Sequence, residues 1–414
     1  MRGWIVVSTL LAWCWASSPG ALRAAEVTEV CDAADGDDPF DIDIDVTFHS
    51  LYNRSQIARE YWPLWDATRS DISQLDFKRV VYDMVYKVEI GLYHDVALYI
   101  DLPWIIQDKR EIKKKDGLGT LWTPDPANPP AQLTGAYPGN ALAEDPAGHP
   151  SSTRAGIGDM HLGVKWAAFS DERDDTKSQF VIGLEYTIPS GSLYRPEQII
   201  NGNEGEVGMG HHILTPFFLF SHRFSILDPY IGLNGSVPFQ SKAAKDAGLK
   251  LPYYGGFLAG TEVVPWESKD GMQKFSIDIG LWTTFFTEVD SKGKSSQRGV
   301  PSEVSDFLVA ADGTGRQLQY TGQYAQFGAK LAFQFKAHEY FRFQMGVSLA
   351  HNTEHFVTGA DPCRDGNGDG TCSADHTVDP PNPYYSSVYD FPGFRLRVEE
   401  TTLLQWWITL MATF

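Results

Sequence analysis

Residues 404–414 read L-Q-W-W-I-T-L-M-A-T-F. Counting back from the last residue, every second position is apolar, and the positions between them carry a mixed set. The apolar positions are Trp406, Ile408, Leu410, Ala412 and Phe414. A period of two is typical of a β-strand with one apolar face. The segment therefore predicts a strand that is either part of a membrane barrel or the carboxyl-terminal strand of a soluble sandwich.

A carboxyl-terminal aromatic residue on an alternating strand resembles the terminal signal of bacterial outer-membrane β-barrels. The resemblance assigns this membrane-insertion signal to Trp406, Ile408, Leu410 and Phe414, and it implies recognition by the barrel-assembly machinery. In such a barrel the apolar face contacts lipid, and the other face lines an enclosed lumen. Whether the chain forms a barrel or a sandwich depends on how often the pattern is repeated.

The alternation recurs in about eleven earlier segments, and the connections between them alternate in length. Tight turns such as 93–95 and 337–340 alternate with long stretches such as 107–155 and 352–393. A barrel with both chain ends in the periplasm needs this order, whereas a sandwich does not. The sequence therefore predicts an all-β fold. We expect a closed antiparallel transmembrane β-barrel of about twelve strands, each about ten residues long, with long extracellular loops and short periplasmic turns.

The amino-terminal residues have a different character. Arg2 is followed by an apolar run at 4–16 and by small residues at 17–25. This order is typical of a secretory signal peptide, so we expect cleavage after Ala24 or Ala25. The predicted division of the chain is a signal peptide at 1–25, a periplasmic amino-terminal lead-in at 26–39 and the outer-membrane barrel at 40–414.

Charge and hydropathy exclude several classes of function. The 414 residues carry a formal net charge of −19, and loss of Arg2 and Arg23 with the signal peptide would make it about −21. Nucleic acid is excluded as a partner because its phosphates would be repelled. After the signal peptide no apolar run reaches the roughly 20 residues of a membrane helix, so insertion must use strands. We expect the outer membrane of a Gram-negative bacterium, with its lipid and lipopolysaccharide as partners.

Two segments resemble a known family. Residues 156–166 read G-I-G-D-M-H-L-G-V-K-W, and residues 181–191 read V-I-G-L-E-Y-T-I-P-S-G. They are similar to the G-x-G-D-x-x-L-G-x-K and P-(S/T)-G pattern of the outer-membrane MetA-pathway phenol-degradation family. Residues 91–103, G-L-Y-H-D-V-A-L-Y-I-D-L-P, resemble that group's tight turn and next strand. The resemblance implies a porin-like transporter and the uptake of aromatic or apolar compounds.

The inward positions of the predicted strands collect charges of both signs. They are Asp41, Asp43, Asp45, Asp83, Lys87, Glu89, Asp101, Asp159, Lys165, Glu185, Asp278, Lys330 and Arg342. An acidic wall would favour cations over anions. Alternatively, the charges pair across strands and fill a polar interior. Both interpretations are open at this level.

Five aromatic residues also fall on inward positions. They are Tyr93, Tyr99, Trp282, Phe286 and Trp407. They form a track for an apolar solute, or they lie at the rim of the barrel, or a β-bulge shifts their true direction.

The cysteines and an acidic loop point to a further feature. Cys363 and Cys372 enclose a short loop and can form a disulfide in an oxidising compartment, which leaves Cys31 without a partner.

Within the loop between Cys363 and Cys372, residues 365–370 read D-G-N-G-D-G, the first half of a calcium-loop pattern. The expected Ca²⁺ ligands are Asp365, Asn367, Asp369 and Asp375. His376 stands where the pattern needs Glu, so the loop is either a weak extracellular calcium site or only an acidic turn.

Other side chains carry weaker signals. The basic residues Lys109, Arg110 and 113–115 either pair with lipopolysaccharide phosphates or form a solvated loop. Neighbouring His and Ser residues, such as Ser221 and His222, point to opposite faces of a strand and cannot share a hydrolase site. We therefore do not expect an enzyme.

These observations predict an outer-membrane channel or passive transporter for a small molecule, either an apolar or aromatic compound or a cation. The alternative is a non-conducting barrel that acts through its extracellular loops as a surface or adhesion protein. Loop 107–155 separates the two, because it would narrow a pore if it folded inward and would favour the surface role if it projected outward.

The calcium hypothesis predicts that Asp365→Ala removes any rise in thermal stability caused by Ca²⁺. Thermal unfolding of the folded barrel, followed by circular dichroism with millimolar Ca²⁺ or with a chelator, measures this effect. Mg²⁺ serves as the control cation. An identical Ca²⁺ response in the wild type and the variant would exclude the loop as a calcium site.

Overall fold

We describe a computed structural model of the protein. It describes residues 25–31, 41–61, 70–115, 151–170, 178–195, 203–204, 206–269, 272–287, 301–307, 320–338, 340–358, 378 and 395–414. Among these residues, no helix is long and apolar enough to cross a membrane.

The fold is a closed barrel of twelve antiparallel strands, as predicted. The fourth strand consists of two segments, and two further pairs of residues, Asn203–Glu204 and His355–Phe356, extend the sheet locally. The strands are β1 Ile42–Tyr61, β2 Ser70–Tyr93, β3 Val96–Lys114, β4 Ser151–Ile157 with Met160–Phe169, β5 Ser178–Ile188, β6 His211–His222, β7 Leu227–Gln240, β8 Tyr254–Glu267, β9 Lys274–Phe286, β10 Tyr324–His338, β11 Phe341–Asn352 and β12 Leu396–Thr413.

Closure depends on the pairing of the first strand with the last. Ile42 and Phe414 exchange two backbone hydrogen bonds of 2.9 Å, and the ladder continues upward through Phe48 opposite Ile408. Strand β1 also pairs with β2, and β2 pairs with β3, so no edge remains in the ring. An unpaired edge inside lipid would cost several kcal/mol per group, so this closure is what allows the chain to span a membrane.

The alternation along each strand separates lipid-facing from lumen-facing side chains. The four predicted insertion-signal residues lie on the outer surface, where Trp406 is 41% and Phe414 is 65% exposed. Apolar residues of other strands share this direction, among them Leu281 and Phe333. The short turns and Phe414 mark the periplasmic end of the barrel, and the long connections mark the extracellular end.

The first three strands are longer than predicted. Strands β1, β2 and β3 contain 20, 24 and 19 residues, more than the roughly ten that cross a membrane. Their extracellular ends bury an apolar cluster on the inner side of the barrel. The cluster consists of Ile57, Leu75, Phe77, Ile112, Val304, Phe307, Val357, Leu396 and Val398. The prediction of a loop from residue 107 was therefore wrong at its start, because β3 continues to Lys114 to complete this cluster.

The two family-like motifs meet at the interruption of β4. Asp159 accepts hydrogen bonds from the backbone N–H of Gly191 (3.0 Å) and of Met209 (2.7 Å). A Cβ atom on Gly191 would lie 2.8 Å from the carbonyl oxygen of Ile157, so only glycine permits this approach. The motifs therefore fasten the loop after β5 to the interruption of β4, and Asp159, which was predicted to line the lumen, has this structural role.

Candidate functional site: the barrel lumen

One side of the lumen is a network of paired charges. Lys87 contacts Glu89 at 2.8 Å and Asp45 at 3.7 Å, and Lys165 contacts the same Glu89 at 2.6 Å. These residues come from β1, β2 and β4, which are close together in the ring. Because each ammonium group lies beside a carboxylate, the pairing interpretation fits this wall better than an open acidic ring.

The network continues onto β3 and β5. The Tyr99 hydroxyl donates to Glu185 at 2.9 Å, and His161 Nδ1 lies 3.4 Å from the same carboxylate. Asp101 is half-buried on the same face of β3. Tyr99 also covers Gly163, where a Cβ atom would overlap the phenol ring.

The other predicted lumen charges are distributed around the ring. Lys330 pairs with Asp278 at 2.6 Å. Asp83 lies 2.9 Å from His49 Nδ1. Asp43 accepts a hydrogen bond of 2.6 Å from the Thr413 hydroxyl, and the Asp41 carbonyl accepts from the backbone N–H of Gly91.

Residues 25–31, which we call the strap, lie inside the periplasmic end of the barrel. Ala25 and Thr28 are 1% and 0% exposed, and the Thr28 hydroxyl lies 2.9 Å from the hydroxyl of Ser221 on β6. Most of these residues belong to the predicted periplasmic lead-in, 26–39. In the structure they lie inside the barrel, where inward-facing strand residues pair with their polar groups.

The strap is held mainly through Glu29. Its carboxylate forms an ion pair with Arg342 on β11, and its backbone carbonyl accepts a hydrogen bond of 3.4 Å from Lys165 on β4. Strands β6 and β11 lie five positions apart in a ring of twelve. A segment in contact with both must therefore cross the lumen.

Cys31 ends the described part of the strap. Its backbone N–H donates to Glu89 at 3.2 Å, and its thiol donates to the Asp41 carbonyl at 3.3 Å. Burial, together with the nearby carboxylates of Asp43 and Glu89, raises the pKa of the thiol to about 12. Cys31 is therefore a buried, protonated free thiol.

Residues 301–307, which we call the latch, lie in the extracellular mouth. They belong to the long connection between β9 and β10, and they carry Val304 and Phe307 into the apolar cluster formed with β1, β2, β3 and β12. Strands β3 and β9 lie six positions apart in the ring. The latch therefore crosses the mouth, as the strap crosses the opposite end.

A buried carboxylate fixes the latch. Asp306 is 0% exposed and contacts Arg154 at 2.9 Å and Arg110 at 3.3 Å. Ser152 and Tyr194 donate hydrogen bonds of 2.8 and 2.5 Å to the same carboxylate. Burial alone would raise the pKa of Asp306, but the two guanidinium groups outweigh it and hold the pKa below its usual range.

Between strap and latch the lumen contains a cavity of about 390 Å³. Its wall belongs to β1, β9, β10, β11 and β12, so that it shares only β1 with the charge network. The lining residues are Trp282, Trp407, Lys330, His49, Thr47, Gln344, Ser348, Gln405 and Thr409. Seven of these nine side chains are polar, so the cavity suits water and polar solutes as well as aromatic ones.

The predicted inward aromatics occupy three kinds of position. Trp282 and Trp407 line the cavity, whereas Tyr99 belongs to the charge network. Phe286 lies near the extracellular rim, where it stacks on Tyr254 and Tyr324. Tyr93 is 63% exposed at a periplasmic turn. The track interpretation therefore applies to the two tryptophans.

Other predicted features lie elsewhere. Arg110 is 5% exposed and pairs with Asp306, so it fits neither of the two alternatives, a lipopolysaccharide contact or a solvated loop. Lys109 pairs with Glu111, and both residues occupy outward-facing positions of β3. The predicted disulfide (Cys363 and Cys372) and the predicted calcium ligands lie outside the described residues.

A serine and a histidine that are distant in sequence do meet. The Ser178 hydroxyl lies 2.6 Å from His222 Nδ1 at the periplasmic end of β5 and β6. In serine hydrolases the nucleophile contacts Nε2, while Nδ1 faces the acid of the triad. The pair therefore has the wrong nitrogen for that chemistry.

No protein-family model and no curated protein matches this chain. Among solved structures, the chain is similar to the COG4313 outer membrane channel from Pseudomonas putida F1, with 10% identity over 96% of this chain and 100% of that chain and a TM-score of 0.41. It is similar to a TodX monoaromatic hydrocarbon channel mutant, with 10% identity, coverage of 95% and 93% and a TM-score of 0.33. A Pseudomonas aeruginosa FadL homologue has 8% identity, coverage of 91% and 90% and a TM-score of 0.31. Sequence identities and TM-scores this low assign no family and no solute to this chain.

The latch predicts a defined response to pH. A lowered pKa in the folded state means that Asp306 stabilises the latch fully above its unfolded pKa of about 4, and that this contribution is lost only at lower pH. The hydrogen-exchange protection factors of segment 301–307 are therefore expected to stay constant from pH 8 to pH 5. Asp306→Ala is expected to lower them at every pH in this range, because two buried guanidinium groups lose their partner.

Glu303→Ala is the matched control, because it removes a carboxylate from the same segment without touching the Asp306 contacts. Equal protection in all three proteins, or a loss of protection in the wild type between pH 8 and pH 5, would contradict this account of the latch.

Proposed function

We propose that the protein is a channel or passive transporter that admits small amphiphilic molecules across the outer membrane of a Gram-negative bacterium. The observation that supports this most directly is the cavity of about 390 Å³ between strap and latch. A barrel that acts only through its outer surface has no need of an internal space with this lining.

The lining favours solutes with both a flat apolar surface and polar groups. Trp282 and Trp407 offer aromatic faces, whereas Gln344, Gln405 and Lys330 offer hydrogen bonds. A pure hydrocarbon would leave such groups desolvated without partners, at a cost of roughly 1–3 kcal/mol each. A fully polar solute would gain nothing from the tryptophans.

Passage requires two displacements in series. A solute from outside must pass the latch, occupy the cavity and then pass the strap. Each segment is held by an acidic residue that pairs with arginines of the strands. Asp306 of the latch pairs with Arg154, and Glu29 of the strap pairs with Arg342. The protein is therefore expected to conduct poorly at rest and to admit solutes one at a time.

Location and partners form part of the same proposal. The exposed apolar band of the strands suits outer-membrane lipid, and Phe414 on an outward position suits recognition by the barrel-assembly machinery. Exposed Lys113 at the extracellular end of β3 suits lipopolysaccharide phosphates.

Planar-bilayer recording of the folded protein tests the channel. We expect small, stable conductance steps with weak ion selectivity, because the described lumen charges are mostly paired. Gly346→Val is expected to lower the conductance, since a side chain there would displace the Trp407 ring from the wall. Val347→Ala, at the neighbouring lipid-facing position, is the matched control and should leave the conductance unchanged.

Absence of conductance in folded protein, with heat-modifiable migration and β-type circular dichroism, would defeat the channel proposal. Strong selectivity for either sign of ion would contradict the paired-charge account of the lumen.

A further inference from the structure

The two tryptophans of the cavity are held flat against the barrel wall. A Cβ atom on Gly346 of β11 would overlap the Trp407 ring, and a Cβ atom on Gly328 of β10 would overlap the Trp282 ring. The Trp407 indole N–H also donates to Gln344 at 3.1 Å. The rings therefore lie over neighbouring strands and leave a face available to the cavity that they line.

A fixed ammonium group lies between the two rings along the wall. Lys330 is two residues below Gly328 on β10, and it is paired in register with Ser348, which is two residues above Gly346 on β11. Two residues of a strand span about 7 Å. Each tryptophan ring forms a flat platform that lies about 7 Å from the level of Lys330, measured along the strands. The Trp282 platform lies toward the extracellular end and the Trp407 platform toward the periplasm.

Lys330 is positioned by groups outside the cavity lining. Its ammonium lies 2.6 Å from Asp278 and 5.3 Å from the centre of the Tyr230 ring, and the Tyr230 hydroxyl donates to the other Asp278 oxygen at 2.5 Å. An ammonium group has three N–H donors. After the contact with Asp278, donors are left for a group inside the cavity.

The charge of the lining is of one sign. Among the nine lining residues, Lys330 is the only lysine or arginine and no residue is acidic. His49 is the other titratable residue, and its Nδ1 faces Asp83. Gln405, paired in register with Ser348, adds an amide beside the ammonium. A carboxylate in the cavity would therefore meet neutral hydrogen-bonding groups and the Lys330 ammonium, which it would share with Asp278 outside the lining.

We propose that this wall binds small one-ring aromatic carboxylates, with the carboxylate on Lys330 and the ring on one of the two tryptophans. The proposal deepens the channel function above and depends on it for the entry of the ligand. Because Lys330 lies between the platforms, the ring moves from Trp282 to Trp407 while the carboxylate stays on the same ammonium group. The site thus carries the solute along the lumen.

Benzoate is the probe, and quenching of tryptophan fluorescence in the folded full-length protein is the measurement. We expect saturable quenching by benzoate and much weaker quenching by benzyl alcohol and benzylammonium. Lys330→Gln is expected to weaken benzoate binding at least about tenfold, since a hydrogen-bonded charge is removed, and to change benzyl alcohol binding less than about twofold. Lys242→Gln, on an exposed lysine of the extracellular helix 242–246, is the control.

A second variant covers the possibility that Lys330→Gln unfolds the barrel by leaving Asp278 unpaired. Lys330→Gln with Asp278→Asn preserves the charge balance and should lose benzoate binding to the same extent. Gly346→Val and Trp407→Ala should also weaken benzoate binding. Equal quenching by benzoate and benzyl alcohol, retention of benzoate affinity in the double variant, or stronger quenching by a neutral monosaccharide would each overturn the proposal.

Conductance recorded on the same preparations separates the two proposals. A conducting protein without saturable benzoate binding would refute the carboxylate site and leave the channel standing. Saturable, Lys330-dependent benzoate binding in a protein without conductance would support the site and refute the channel.

Discussion

The requirement that every backbone polar group in the membrane be paired governs this structure. Twelve strands meet it only as a closed ring, and closure is completed where Phe414 pairs with Ile42 and where β2 pairs with β3. Once the ring is closed, the two-residue period of each strand decides the rest. Side chains of one parity contact lipid, and those of the other parity share an enclosed volume.

That volume is larger than strand side chains alone would fill, and the protein occupies it in three ways. Paired charges cover the wall of β1 to β5. Aromatic rings lie flat over glycines on the opposite wall, which keeps that side open. Two segments from outside the strands, the strap and the latch, cross the ends. Of the charges that hold them, Asp306, Arg110, Arg154 and Arg342 are buried, and a buried charge that loses its partner is strongly destabilising. The same pairs that close the lumen therefore resist its opening.

The fold could be predicted from the sequence because its signals are local. The alternation around Trp406 to Phe414 and the tight turns each span about ten residues or fewer, the long loops are recognised by their length and composition, and the structure confirms the barrel that these signals predict. The strap and the latch could not be predicted in this way. Asp306 meets Arg110 and Arg154 across more than 150 residues of chain, and no period reveals such a pair.

The site shows the same division between local and distant information. The alternation of the strands predicts inward positions for Lys330, Trp282 and Trp407, and in the structure these three residues line the cavity. Such a prediction is possible because the alternation is a property of a single strand. The alternation could not predict the contacts of Asp159, whose carboxylate lies at the interruption of β4 and accepts hydrogen bonds from the backbone of the next loop. His49 lies on an inward position of β1 but was not among the predicted lumen residues. The alternation of Asp43, Asp45 and Thr47 could have placed it in the lumen.

The central claim is that strap and latch are two barriers in series around one cavity. Single-channel conductance of Glu29→Ala, Asp306→Ala and the double variant tests it most directly. Barriers in series predict that each single variant conducts only modestly better than the wild type, because the other barrier remains, and that the double variant exceeds the sum of the two increases. A single variant that already conducts as well as the double variant would contradict the account.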